Sequence, residues 1–229
     1  MQHSEILVHW TSRQLARQSP SEVNIQDGYV ALLRNIYLKG LRFSHPCNPD
    51  VVAGVNCHTE LPTLPIICFT EIRLSQTQEH VRQYGGLGIG FRREFLMAWG
   101  ANPVFYMQSK RQGIVNTNLS GLATLENKPK GLDVFLSYVK PMGEPSSDQY
   151  PYYDESEWRM VACKLGDQWP ERFTEAEEDV WFRFKPEEVA LLAFPNEATR
   201  RKALHDSQVV DIFGDHVPMM VDTSDCWGF

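Results

Sequence analysis

The chain has 229 residues and no stretch that reads as a separating linker, so residues 1–229 are expected to form a single domain. Apolar residues make up 42% and aromatic residues 11%, which supplies a packed core and excludes a wholly disordered chain. The formal net charge of −7 argues against a protein whose main task is gripping a duplex phosphate backbone, since that grip comes from clustered Lys and Arg.

The N-terminal MQHSEILVHW has no basic n-region, and no later stretch approaches the roughly 18 apolar residues of a membrane span, so a cytoplasmic protein without membrane contact is expected. The run Ile6 to Trp10 reads as a strand, and a polar stretch from Thr11 to Asp27 leads into helical spacing at Tyr29, Leu32, Leu33, Ile36 and Tyr37 that stops at Gly40. A short strand, Leu41 to Ser44, enters a loop carrying His45, Cys47, Cys57 and His58. Those four are ligand types for zinc, but the spacing is not that of a CxxC knuckle. The five cysteines are odd in number and scattered, so reduced thiols and no metal are expected.

PIICFT, residues 65–70, is the continuous apolar run of a buried strand. SQTQEHVRQYGG then reads as an amphipathic helix ending near Tyr84, and GGLGIGF as a strand with Leu87, Ile89 and Phe91 on one face and Gly86, Gly88 and Gly90 on the other. Further along, Pro103 to Met107 reads as a strand and Leu119 to Val139 as helical, interrupted at NKPKG. Glu157 to Cys163, Val180 to Phe184 and Val189 to Phe194 read as strands, ERFTEAEED as a solvated connection, and Asn196 to Leu204 as a capped helix. Strands and helices interleave without a regular β-α-β rhythm, which predicts an α+β domain with a mixed, mostly antiparallel sheet arrangement and flanking helices.

There is no GxxxxGK[ST] loop, GxSxG elbow or HExxH helix, and GGLGIG alternates within a strand rather than opening a helix. The polar signals that remain are His9 and Thr11 in LVHWTS, Tyr84 before the glycine strand, and Glu155 and Glu157 in DESEWR. Taken in order with GLRFS, ICFTE, HVRQYGGLGIGFRREFL, NPVFYM and FRFKPEEVALLAF, they resemble the AbiGi-type abortive-infection proteins of bacteria, from about residue 5 to residue 204. The same blocks resemble a larger group of uncharacterised bacterial domains with a tyrosine-glycine strand and an E-x-E-W-R strand. The AbiGi resemblance implies a role in phage defence and an antitoxin partnered with a toxin.

By a looser resemblance, the early His, middle Tyr and late Glu follow the H-Y-E layout of ADP-ribosyltransferases, which would also imply that fold, although the S-T-S run of the arginine-type enzymes is absent. On this reading NAD is the substrate and the acceptor of ADP-ribose is unknown. Cleaving the nicotinamide bond develops an oxocarbenium ion, which a carboxylate on the neighbouring ribose hydroxyl stabilises as the charge appears. Glu157 is the candidate for that carboxylate and Glu155 for orienting the acceptor. His9 and Thr11 would hold a ribose, Tyr84 would stack on nicotinamide, and Gly86 and Gly88 would let the flat ligand lie against the sheet. Each has a plainer reading: a hydrogen-bonded structural His, a buried Tyr, and a Glu–Arg ladder on a solvated sheet. The alternative function is a non-catalytic antitoxin or regulator that binds a partner protein, with Trp158, Trp181 and the acidic ERFTEAEED stretch as interface candidates.

Overall fold

The computed structural model describes residues 4–17, 22–45, 64–71, 77–108, 125, 127, 129, 131–142 and 156–226. β1 (Ile6–Thr11) is followed by α1 (Arg13–Arg17) and α2 (Glu22–Lys39), then β2 (Leu41–Arg42) and β3 (Ile66–Thr70). α2 buries Tyr29, Val30, Leu33 and Ile36, which recur at helical spacing on one stripe. It ends because Gly40 takes φ +93° and returns its N–H to the Ile36 carbonyl at 2.8 Å. A side chain there would meet the Phe182 carbonyl oxygen at 2.3 Å, so only glycine fits this turn.

α3 (Thr77–Tyr84), β4 (Leu87–Arg92), α4 (Arg93–Ala98), β5 (Asn102–Pro103), β6 (Phe105–Gln108), α5 (Leu132–Leu136) and β7 (Val139–Met142) come next. The chain continues through β8 (Glu157–Val161), β9 (Phe173–Ala176), β10 (Asp179–Phe182) and β11 (Val189–Phe194) to α6 (Glu197–His205), α7 (Ser207–Phe213) and β12 (Met219–Asp222). Seven strands form one sheet in the order β12-β11-β4-β1-β3-β8-β5; β2-β10-β9 form a second and β6-β7 a third. The large sheet is antiparallel except for β11–β12, which run parallel and are joined by way of α6 and α7. The mixed, mostly antiparallel α+β architecture is as the sequence predicts. No helix among the described residues is long and apolar enough to cross a membrane.

The main core lies on one face of the large sheet, where Leu7, Ile67, Phe69, Leu87, Ile89 and Phe91 pack with α2, α7 and the inner residues of the small sheet, Phe173, Val180 and Phe182. A smaller cluster on the opposite face joins Val8, Trp10, Leu191 and Ala193 to Val81 and Tyr84 of α3. A bulge at Ala190 lets Val189 enter the first cluster and Leu191 the second, although both occupy odd positions of β11.

Between β1 and β3 the ladder is reduced to one pair, Val8 with Thr70. Side chains take over where backbone pairing stops. His9 Nδ1 donates to the Cys68 carbonyl at 2.8 Å, and Trp10 Nε1 donates to Thr70 Oγ1 at 3.0 Å.

Several boundaries differ from expectation. α2 begins at Glu22, within the polar stretch and well before Tyr29, because its N-terminal turns carry less of the apolar stripe. Val139 is a strand residue, and among the described residues the helical reading of Leu119 to Val139 holds at α5; residues 119–124, 126, 128 and 130 lie outside the described residues. The acidic stretch read as a solvated connection contains β9, whose Phe173 is buried in the core. One apolar residue on the inner face was enough to anchor a strand with a solvated outer edge.

Candidate functional site

β8 carries the densest group of buried charge among the described residues. In the register with β3, Glu157 lies opposite Thr70 and Arg159 opposite Cys68, so both side chains leave the sheet on the face that holds Val8 and Trp10. Glu157 is 4% exposed, and both carboxylate oxygens are taken: Lys140 Nζ lies 2.5 Å from Oε2, and Arg159 Nε donates to Oε1 at 2.7 Å. Arg159 also reaches across to β7, donating to the Ser137 carbonyl at 2.7 Å and the Val139 carbonyl at 3.3 Å. Below, the Tyr106 hydroxyl accepts the Glu157 backbone N–H at 2.9 Å.

These contacts set the electrostatics. Burial on its own would raise the Glu157 pKa, but the charges and hydrogen bonds of Arg159 and Lys140 outweigh it and hold the carboxyl well below its usual range. Cys68 sits under the same carboxylate; burial pushes its thiol up and Glu157 adds to that push, so it remains protonated and is not an activated nucleophile. His80 projects from α3 toward the group. Burial lowers its pKa, the Lys140 charge lowers it further, and it titrates at about 4, so it is neutral at pH 7. The junction is therefore an ionised carboxylate clamped by two cations, with a neutral thiol and a neutral imidazole beside it.

Of the residues singled out from sequence, Glu157 forms the junction, Tyr84 shares its side of the sheet, and His9 and Thr11 do not. His9 leaves β1 on the opposite face, the one holding Leu7, and its ring stands edge-on to Phe69 with centroids 5.9 Å apart. Burial lowers its pKa despite the bond to the Cys68 carbonyl. Thr11 ends β1 on the same side as His9, paired with Leu87. Tyr84 shares the Glu157 side of the sheet, where it packs in the smaller cluster with its ring centroid 5.5 Å from that of His80. Glu155 lies outside the described residues, as do Cys47, Cys57 and His58 of the Cys/His loop. No group of three or more metal-ligand side chains occurs among the described residues.

The glycine face is filled from within the protein. A Cβ on Gly88 would come within 2.9 Å of Val8, 3.0 Å of Trp10 and 3.1 Å of Ala193, and one on Gly86 within 2.7 Å of Pro195. The room the glycines leave is thus taken by neighbouring side chains of the sheet rather than held open for a flat ligand. Glu157 and Arg159 are also not a solvated ladder, because both side chains are buried and are held by Lys140 and the carbonyls of Ser137 and Val139.

Sequence reasoning found Glu157 but missed what surrounds it. Lys140 stands in the run YVKPM, where a single charge among apolar residues was the available signal. His80 lies four residues before Tyr84 and so on the same face of α3. An open groove of about 640 Å³ beside the start of β8, lined among others by Glu71, Arg93, Met97, Tyr106, Glu157 and Trp158, was not anticipated either. In it Glu71 accepts hydrogen bonds from Arg93, from Trp158 Nε1 and from the backbone of Ser4.

Comparison with known proteins bears on the same region. Residues 57–190 match the family described as "Putative abortive phage resistance protein AbiGi, antitoxin". No curated protein and no solved structure matches the chain. The matched span takes in every member of the junction, Cys68, His80, Tyr106, Lys140, Glu157 and Arg159, and leaves His9 outside it. It covers more than half of the 229 residues, and the chain belongs to the AbiGi family of abortive phage resistance proteins.

Proposed function

We propose that this chain acts in phage defence as a non-catalytic antitoxin, which neutralises a partner protein through surface contacts. The observation that carries the reading is the state of Glu157. Its carboxylate is buried, and both oxygens are held by Lys140 and Arg159, so it serves as the counter-charge of a structural junction rather than facing a ribose hydroxyl. The placement of His9 on the other face and the filled glycine strand support it as well. The antitoxin label of the family agrees with the reading.

Two measurements test it. The purified chain, incubated with millimolar NAD and bacterial lysate, is expected to release no nicotinamide above a blank and to label no protein or nucleic acid with ADP-ribose. In cells it is expected to be harmless when expressed alone and to restore growth when the toxin of the system is co-expressed. NAD turnover by the wild-type chain, lost in a Glu157→Gln variant that circular dichroism shows to be folded, would replace this reading with the ADP-ribosyltransferase one.

A further inference from the structure

We infer that β6, β7 and α5 form a block held to the main sheet by one buried electrostatic latch centred on Glu157, and that this block opens cooperatively while the rest of the sheet stays closed. The backbone gives the first indication. β6 and β7 pair with each other as a separate two-stranded sheet and contribute no strand to the seven-stranded one. Phe105 N–H donates to the Tyr138 carbonyl at 2.9 Å, which ties the block to itself.

Among the described residues, most of its hydrogen bonds and ion pairs to the sheet meet at Glu157 and at the Arg159 bound to it. Lys140 from β7 grips the Glu157 carboxylate, Tyr106 from β6 accepts the Glu157 N–H, and Val104 N–H donates to the Glu157 carbonyl at 2.9 Å. Arg159, itself bound to Glu157, extends the same grip to the carbonyls of Ser137 and Val139. Further hydrogen bonds lie elsewhere, from the Tyr138 hydroxyl to the Gly100 carbonyl at 2.8 Å and between that hydroxyl and the Asn102 side chain of β5.

Apolar attachment is thin by comparison. Among the described residues of the block, Leu136 is buried but belongs to neither core cluster, while Phe105 and Phe135 meet as a tilted pair with 55% and 49% of their surface exposed. Elements held by few buried apolar contacts are those that open below the global unfolding free energy. A buried ion pair holds while both partners are present and fails sharply when one is removed. Opening would also release Oε2 of the Glu157 carboxylate from Lys140 and leave Oε1 with Arg159 of the same strand.

Native-state amide hydrogen exchange of the full chain tests this with two variants. Lys140→Met removes the grip, and is expected to speed exchange at Val104 and Glu157, whose N–H groups bond across the junction, by about tenfold or more and by a common factor. Asn196→Ala removes the cap of α6, whose side chain accepts from Thr199 N–H at 2.9 Å, and that cap stays intact when only the block opens. It is expected to speed the amides of β4 and β11, which exchange through global unfolding, by about fivefold, and to leave the block amides unchanged. If Asn196→Ala speeds block and core amides equally, the block does not open separately and the inference fails. It fails too if Lys140→Met leaves the block amides as they were. Should Lys140→Met not fold, Tyr106→Phe takes its place with the same directions expected.

Discussion

Strands β4 and β8 present residues to the same face of the large sheet and fill it by opposite chemistry. β4 offers Gly88 and Gly90, and the space they leave is taken by Val8, Trp10 and Leu191 from the neighbouring strands. β8 offers Glu157 and Arg159, which are compensated by Lys140 from outside the sheet. The apolar half is held by packing and tolerates no added volume. The charged half is held by pairing and tolerates no lost partner, because a stranded buried charge costs more than a missing contact.

The largest expected effect is on the charged half. Glu157→Gln leaves Lys140 and Arg159 facing a neutral amide in a buried setting, and is expected to lower stability by about 3–5 kcal/mol in a denaturant melt. A loss below about 1 kcal/mol would mean that water reaches the junction, and the contrast with β4 would vanish. Next in size is Gly88→Ala, whose added methyl meets three side chains at 2.9–3.1 Å; a loss of about 1–3 kcal/mol is expected from overpacking. A neutral or stabilising result there would show that the glycine face has spare room after all, and would reopen it as a place for a ligand.

Per unit of pH, the smallest effect is in the pH dependence. Around the junction stand His80 and Tyr84 of α3, Cys68 of β3, Tyr106 of β6, Lys140 of β7 and Arg159 of β8. His80 has a folded pKa of about 4 against 6.5 when unfolded, and Glu157 lies below its ordinary 4.5. Both folded values are depressed, so each group contributes stability that is complete above its unfolded pKa and declines as pH falls through the folded one. Stability should therefore slope down from about pH 6.5 toward pH 4 as His80 resists protonation, and further below pH 4.5 as Glu157 is neutralised. Each group contributes at most about 1.4 kcal/mol per pH unit. Urea melts of wild type and His80→Gln between pH 7 and pH 5 should show the upper slope reduced in the variant. His9, depressed as well, leaves a residual slope. An identical slope in both would place His80 outside the coupled group.

Most strands were legible from sequence because their signal is local. Ile66–Thr70, Leu87–Arg92 and Val189–Phe194 are short apolar or alternating runs bounded by Gly, Pro or charge, and chain order alone carried the family resemblance. Gly40 and Asn196 likewise announced the end of one helix and the start of another through their own backbone chemistry. β12 was not legible, since MMVD has little pattern of its own and is a strand only because β11 offers it an edge. The site shows the same division. Sequence placed Glu157 on a strand with Arg159 two residues on, which fixes their common face. Which face that was, and that His9 lay on the other, depended on the register between β1, β3 and β8. Whether Glu157 met solvent or Lys140 depended on β7 folding back over β8 from 17 residues away. Periodicity along a strand assigns side chains to two sides, but only the packing of separate segments decides which side is dry, and burial and pairing together set what a carboxylate can do.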